Sequence, residues 1–109
     1  MVSNKVYIGT VLDMLRMVYP DASDEEIGDL HVRAMEFSPR AHIVDSDVHH
    51  SHWSIAATMI WLSSLAYSRI DPPHRRTQSQ ISFSVGDVSV VTMSKCRKTI
   101  GFENLVIHS

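Results

Sequence analysis

Cysteine is nearly absent. A single one, Cys96, stands in 109 residues, so no internal disulfide can form and the small secreted scaffolds built around cystines are excluded. No stretch approaches the ~20 uninterrupted apolar residues that span a bilayer. The richest, Trp53 to Ala66, is about one core helix long and is interrupted by Ser54, Thr58, Ser63 and Ser64. The first residues lack the basic region, apolar run and small-residue cleavage site of a secretory signal, and the soluble, reducing interior of a cell is the expected compartment. There is no large excess of one charge: the formal net charge is −2, whereas a dedicated nucleic-acid binder of this size is usually strongly basic. The glycines, at 9, 28, 86 and 101, are too dispersed for a phosphate-cradling loop, and no internal repeat or low-complexity tract is visible.

What is present is ordinary for a globular chain: 44% apolar and 20% charged residues, the composition of one compact domain. A domain of this length buries only roughly two-thirds of the surface its unfolded chain exposes. Association with copies or neighbours is a natural supplement to such a core.

The apolar spacing changes character once, at Asp71-Pro72-Pro73. Before it the pattern is helical. Ile8, Val11, Leu12, Leu15 and Val18 share one face of a helix predicted over about Asn4 to Tyr19, stopped by Pro20. Ser23 and Glu26 form a capping-box pattern that opens a second helix, with Ile27, Leu30, Ala34 and Phe37 as its buried stripe. Asp24, Glu25 and Glu26 also suit the positive end of its dipole. Ser38-Pro39 ends it. A polar connection over 40–51 leads to a third helix, predicted from His52 to Ile70, that is apolar nearly all round and therefore packed on more than one side. After the proline loop, Ile81, Phe83 and Val85 alternate with Ser82 and Ser84, and Val88 and Val90 repeat the alternation beyond Gly86-Asp87. Two alternating runs joined by Gly-Asp predict a β-hairpin with Gly86 and Asp87 at its turn. The expected fold is mainly α: a three-helix core over 1–70, a loop and β-hairpin appendage over 71–94, and an extended C-terminal docking tail over 95–109, within one domain overall.

Three constellations invite a chemical reading. His49, His50 and His52 cluster near Asp45 and Asp47, but a zinc site needs three converging ligands and its helical form spaces two histidines four apart. His49 and His52 are three apart with neither an intervening glutamate nor a cysteine, and solvated imidazoles at a helix start explain them as well. Cys96 lies among Lys95, Arg97 and Lys98, which would lower its pKa; with no histidine tied to it, an exposed and inert thiol is expected. The carboxylates of Asp24-Glu25-Glu26 serve the helix start. No enzymatic activity, metal or cofactor is expected.

Charge is distributed more informatively. Residues 1–70 carry nine acidic against five basic side chains, and residues 71–109 three against five. Such complementary halves suit head-to-tail contact in a ring, although a solvated surface accounts for them equally. Arg75, Arg76, Lys95, Arg97 and Lys98 are candidate phosphate contacts, sufficient for salt-sensitive, sequence-independent binding. A sequence-specific DNA reader is not expected, since the third helix presents Trp53, Ile60 and Leu65 where such a helix needs polar groups. Trp53, Trp61 and Ile60 are candidate subunit contacts, with the tryptophans as anchors; membership of the monomer core is the competing reading for both tryptophans.

The order of parts, with the helix Ser54–Arg69 followed by a loop and then Ser84-Val-Gly-Asp-Val-Ser-Val90, resembles the small head–tail connector (adaptor) proteins of tailed bacteriophages. The likeness covers most of the chain in architecture and only Ser84–Val90 in motif. The histidine-rich connection and the double proline depart from that pattern. The resemblance implies a non-enzymatic virion structural protein, assembled in the host cytoplasm into the neck of the particle. It implies a homo-oligomeric ring, commonly a dodecamer, under the portal protein, where it extends the DNA channel without sequence-specific contact and docks neck or tail proteins. A C-terminal segment gripping the portal is also implied, and Ile100, Phe102, Leu105, Val106 and Ile107 suit it. A tail-terminator or stopper of the same particle, a small nucleic-acid-binding regulator, and a metal-dependent enzyme centred on His49, His50 and His52 are the alternatives.

Overall fold

In the computed structural model, residues 4–37 and 52–100 are described, with side chains over 9–37 and 52–98. They form helices α1 (Asn4–Val18), α2 (Asp24–Met35), α3 (His52–Ala66), α4 (Gln78–Val85) and α5 (Val90–Ile100), with a short 3₁₀ turn at Pro72–His74. No strand occurs among the described residues. The first three helices start where the sequence predicts. Helix α3 stops at Ala66, before the predicted Ile70, and the chain turns through 67–70.

Helix α2 begins as its capping box requires: the Glu26 amide donates to Ser23 Oγ at 3.1 Å and the Ser23 amide to Glu26 Oε1 at 3.3 Å. Its stripe of Ile27, Leu30 and Ala34 is buried, as is Phe37 just beyond it. From α1, Val11, Met14, Leu15 and Val18 meet them. Helix α3 is the axis of the molecule. It packs against α1, α2, α4 and α5, and Ile55, Ala56, Ala57, Met59, Ile60 and Leu62 retain at most 1% of their exposure. Burying each large aliphatic among them contributes about 1.5–3 kcal/mol. Two of its buried hydroxyls bond to the helix's own backbone: Thr58 Oγ1 donates to the Ser54 carbonyl and Ser63 Oγ to that of Ile60, both at 2.9 Å. That removes the penalty for polar groups in an apolar core.

The predicted β-hairpin is not formed. Residues 81–90 hold the end of α4, a short link and the first residue of α5. Thr77 and Gln80 make a second capping box, with the Gln80 amide donating to Thr77 Oγ1 at 3.1 Å and the Thr77 amide to Gln80 Oε1 at 2.8 Å. Ile81 and Val85, four apart, are buried on one helical face, while Phe83 between them is 92% exposed. A strand would have carried all three on one side. Gly86 and Asp87 do have positive φ, at 65° and 54°, but they end a helix instead of reversing a strand. The Gly86 amide donates to the Ser82 carbonyl at 3.1 Å, and Ser89 Oγ then accepts from the Thr92 amide at 3.1 Å to start α5.

The segments expected to be an appendage and an extended tail therefore contribute to the core through Ile81, Val85, Val88, Met93 and Cys96, all buried. Residues 95–100 are helical. Phe102, Leu105, Val106 and Ile107, and the side chain of Ile100, lie outside what is described, as do His49 and His50.

Candidate functional site

Two polar assemblies stand out. The first ties the proline loop to α1 and α2. Asp71, just after α3, accepts a hydrogen bond from Arg33 Nη1 on α2 at 2.6 Å, and its two oxygens lie 2.8 Å from His74 Nδ1. On the other side of the ring, His74 Nε2 is 3.1 Å from Glu26 Oε2. The imidazole thus bridges Asp71 and Glu26 through its two ring nitrogens. Tyr19 OH donates to the His74 carbonyl at 2.5 Å, and the Arg76 guanidinium covers the Tyr19 ring at 4.6 Å. Ser64 Oγ accepts from the Arg76 amide and donates to the Arg76 carbonyl.

The electrostatics follow from these contacts. Partial burial pushes the Asp71 carboxyl up, but the hydrogen bonds and charges of Arg33 and His74 outweigh it and hold the group below its ordinary range. Glu26 is lowered by the Ser23 amide and by His74. Burial raises the Tyr19 hydroxyl. Space decides what this cluster does. The void bounded by Tyr19, Arg33, Ser64, Tyr67, Asp71 and His74 measures ≈ 10 Å³, at the limit of one water molecule. It is a staple that fixes the loop leading into α4, and on its outer side Tyr19, Glu26, His74 and Arg76 border an open cleft of ≈ 200 Å³.

The second assembly is a groove of ≈ 380 Å³ lined by Trp61 from α3, Gln78 from α4, and Ser94, Arg97 and Lys98 from α5. Arg97 lies over the Trp61 ring at 5.3 Å, a cation–π distance. Gln78 Nε2 donates to Ser94 Oγ at 2.9 Å, joining the start of α4 to the middle of α5. Gln78, at the start of α4, thus shares the groove with Arg97 and Lys98 near the end of α5.

The predicted phosphate contacts are thus in different states. Arg76 is engaged by Tyr19, and its Nη1 donates to the Pro73 and Arg75 carbonyls, both at 2.9 Å. Arg75, Lys95 and Lys98 are exposed, and Arg97 is half-buried in the groove. The predicted subunit contacts lie inward in the monomer: Ile60 is buried, Trp61 is 9% exposed, and Trp53 is partly buried with its Nε1 donating to the Gly86 carbonyl at 3.3 Å. Cys96 is not the exposed thiol expected. It is buried, and desolvation raises its pKa despite a side-chain hydrogen bond with Thr58, overriding the lowering its basic neighbours in sequence suggested. His52 opens α3, and no group of three or more His, Cys, Asp or Glu gathers as a metal site among the described residues.

The Asp71–His74 staple was not visible in sequence, because its partners lie 38 and 48 residues away on α2. The Thr77–Gln80 capping box was visible and would have announced α4. No described helix is long and apolar enough to cross a membrane. Compared with known proteins, the chain matches no family model, no curated protein and no solved structure at a significant level.

Proposed function

We propose that the chain is a structural connector of a tailed bacteriophage, assembling as a ring under the portal, extending the DNA channel and docking neck or tail proteins. The observation that carries this reading is the division of exposed charge between separate helices. Around α2, over 20–37, six carboxylates face one arginine, and Asp21, Asp24, Glu25, Glu26, Asp29 and Glu36 are all exposed. Over 75–100, five cations face the single carboxylate of Asp87. Both α2 and α5 pack on α3 without substantial packing on each other, so opposite charges are offered on different parts of the surface. A heterologous contact between copies uses both and closes into a ring.

Phe83 supports the same reading. At 92% exposure it is an aromatic side chain available as an anchor, and its burial contributes about 1.5–3 kcal/mol. It sits just ahead of Ser84–Val90, the segment that carries the family resemblance. Native mass spectrometry at low ionic strength, with and without a portal, tests the proposal. A high cyclic oligomer, or incorporation into one, is expected, and Phe83→Asp is expected to abolish it with helical circular dichroism unchanged. A monomer at high concentration under both conditions overturns it. The competing reading as a small nucleic-acid-binding regulator draws on the basic α4–α5 surface, and DNA affinity falling steeply with salt in a monomer or dimer selects it.

A further inference from the structure

We propose that the groove between α3, α4 and α5 is a phosphate-binding site. Arg97 and Lys98 supply the charge, and Ser94 and Gln78 supply neutral donors. The inference stands on this groove alone and not on ring assembly.

Among the described residues, its lining holds two cations and no carboxylate. Two other arginines do have acid partners: Arg16 pairs with Asp24 at 3.2 Å and Arg33 with Asp71 at 2.6 Å. Among the described residues no acid pairs with Arg97 or Lys98. Arg97 is also fixed in place by the Trp61 ring and carries a buried Nε with no hydrogen-bond acceptor. A half-buried guanidinium held by stacking, with no anion among the described residues, is costly, and an oxyanion at the groove offsets that cost.

The neutral groups are poised in the same sense. Ser94 Oγ already accepts from Gln78 Nε2, so its own O–H proton is left to donate, and the amide of Gln78 keeps its second N–H. All four polar side chains thus offer donors. The volume of ≈ 380 Å³ falls within the roughly 300–1,000 Å³ of small-ligand sites. A free or monoester phosphate matches the two positive charges as a dianion, a nucleic-acid backbone brings one charge at each successive phosphodiester, and the guanidinium fork fits the oxygens of either in pairs. The phosphate can be a free phosphate or monoester, or a phosphodiester of a nucleic-acid backbone.

Titration of the ¹⁵N-labelled chain with sodium phosphate at constant ionic strength tests the site, with a short DNA duplex as the second ligand. Saturable shifts of the Trp61 indole N–H and of the Ser94 and Lys98 amides are expected, weakened about tenfold (about 1.4 kcal/mol) in Lys98→Gln and in Ser94→Ala. Lys98 is exposed, so its variant keeps the fold. Saturation by phosphate itself assigns the free or monoester form. Saturation by DNA only, lost as salt rises, assigns the backbone form. No shift with either ligand, or shifts indifferent to Lys98→Gln, Ser94→Ala and Arg97→Gln alike, overturns the proposal.

Discussion

Replacing Gly86 with alanine should destabilise the chain for a reason confined to one backbone position. Gly86 has φ 65° and ψ 170°, a region in which L-residues are strained by about 1–3 kcal/mol. A Cβ there meets nothing within 4 Å, so packing adds no further cost. Alanine also restricts the unfolded chain, which returns about 0.4–1 kcal/mol, leaving a net loss of about 1–2 kcal/mol. In a domain of this size that lowers Tm by several degrees, at ~4–8 °C per kcal/mol. Two comparisons isolate the cause. Gly28 lies in the exposed middle of α2, again with nothing within 4 Å of a Cβ, and Gly28→Ala should stabilise by about 0.5–1 kcal/mol. D-alanine at position 86, placed by chemical synthesis, adopts the same φ and ψ without strain and should hold or raise stability. Urea unfolding followed by circular dichroism measures all three. Gly86→Ala at or above the parent stability, or equal losses for L- and D-alanine, refutes the backbone argument.

The acid response should follow the staple. Asp71 and Glu26 are both held below their ordinary carboxylate values, so their contribution is complete above the unfolded-state values and is lost as pH falls through the folded ones. Asp71→Asn should therefore destabilise at neutral pH by about 1–2 kcal/mol and flatten the acid limb of the unfolding profile; a parallel, undiminished limb contradicts the assignment. Cys96, fully buried with a raised pKa, should resist a disulfide-exchange reagent until denaturant is added, and rapid labelling of the native chain would place it at the surface. Met59→Ala, at 0% exposure on α3, should cost about 2–5 kcal/mol by chemical denaturation, and a cost below 1 kcal/mol would mean that α3 is not the packing axis.

The helices that were legible in sequence are those whose signals agree. Over Ser23–Phe37 the cap, the acidic first turn and the three- and four-residue apolar steps all specify one helix. Over Thr77–Val90 the signals conflict. Ile81 and Val85 are spaced for a helix and also for alternate positions of a strand, and Phe83 between them tips the pattern towards a strand. The tie is broken by Thr77 and Gln80, whose reciprocal bonds start a helix, and by tertiary packing, which buries Ile81 and Val85 and leaves Phe83 outside. Positive φ at Gly86 is required by either fold, so the Gly-Asp pair could not choose between them. The loop from 71 to 77 was beyond reach for another reason: its geometry is set by Arg33, Glu26 and Tyr19, which are distant in sequence.

The change from hairpin to helices also relocates the basis for association. A helix apolar on every side, backed by only two short helices, leaves surface that needs a partner. With α4 and α5 added, Ile81, Val85, Val88, Met93 and Cys96 join α1 and α2 in surrounding α3, and the chain covers its own axis. Among the described residues, what remains for contact between copies is Phe83, the exposed apolar side chains Val32, Val91, Ile70 and Met17, and the opposed charges of α2 and α5. Contacts of that composition respond to salt in a way that a seam of α3 side chains would not. Exposed charges are screened within ~8 Å at physiological ionic strength, while apolar burial is not weakened by added salt. A ring held by α2 against α4–α5 should loosen as salt rises, with Phe83→Asp and high salt acting in the same direction. A ring held through α3 would first have to open the monomer core, and its assembly would track the stability of the fold instead of the ionic strength.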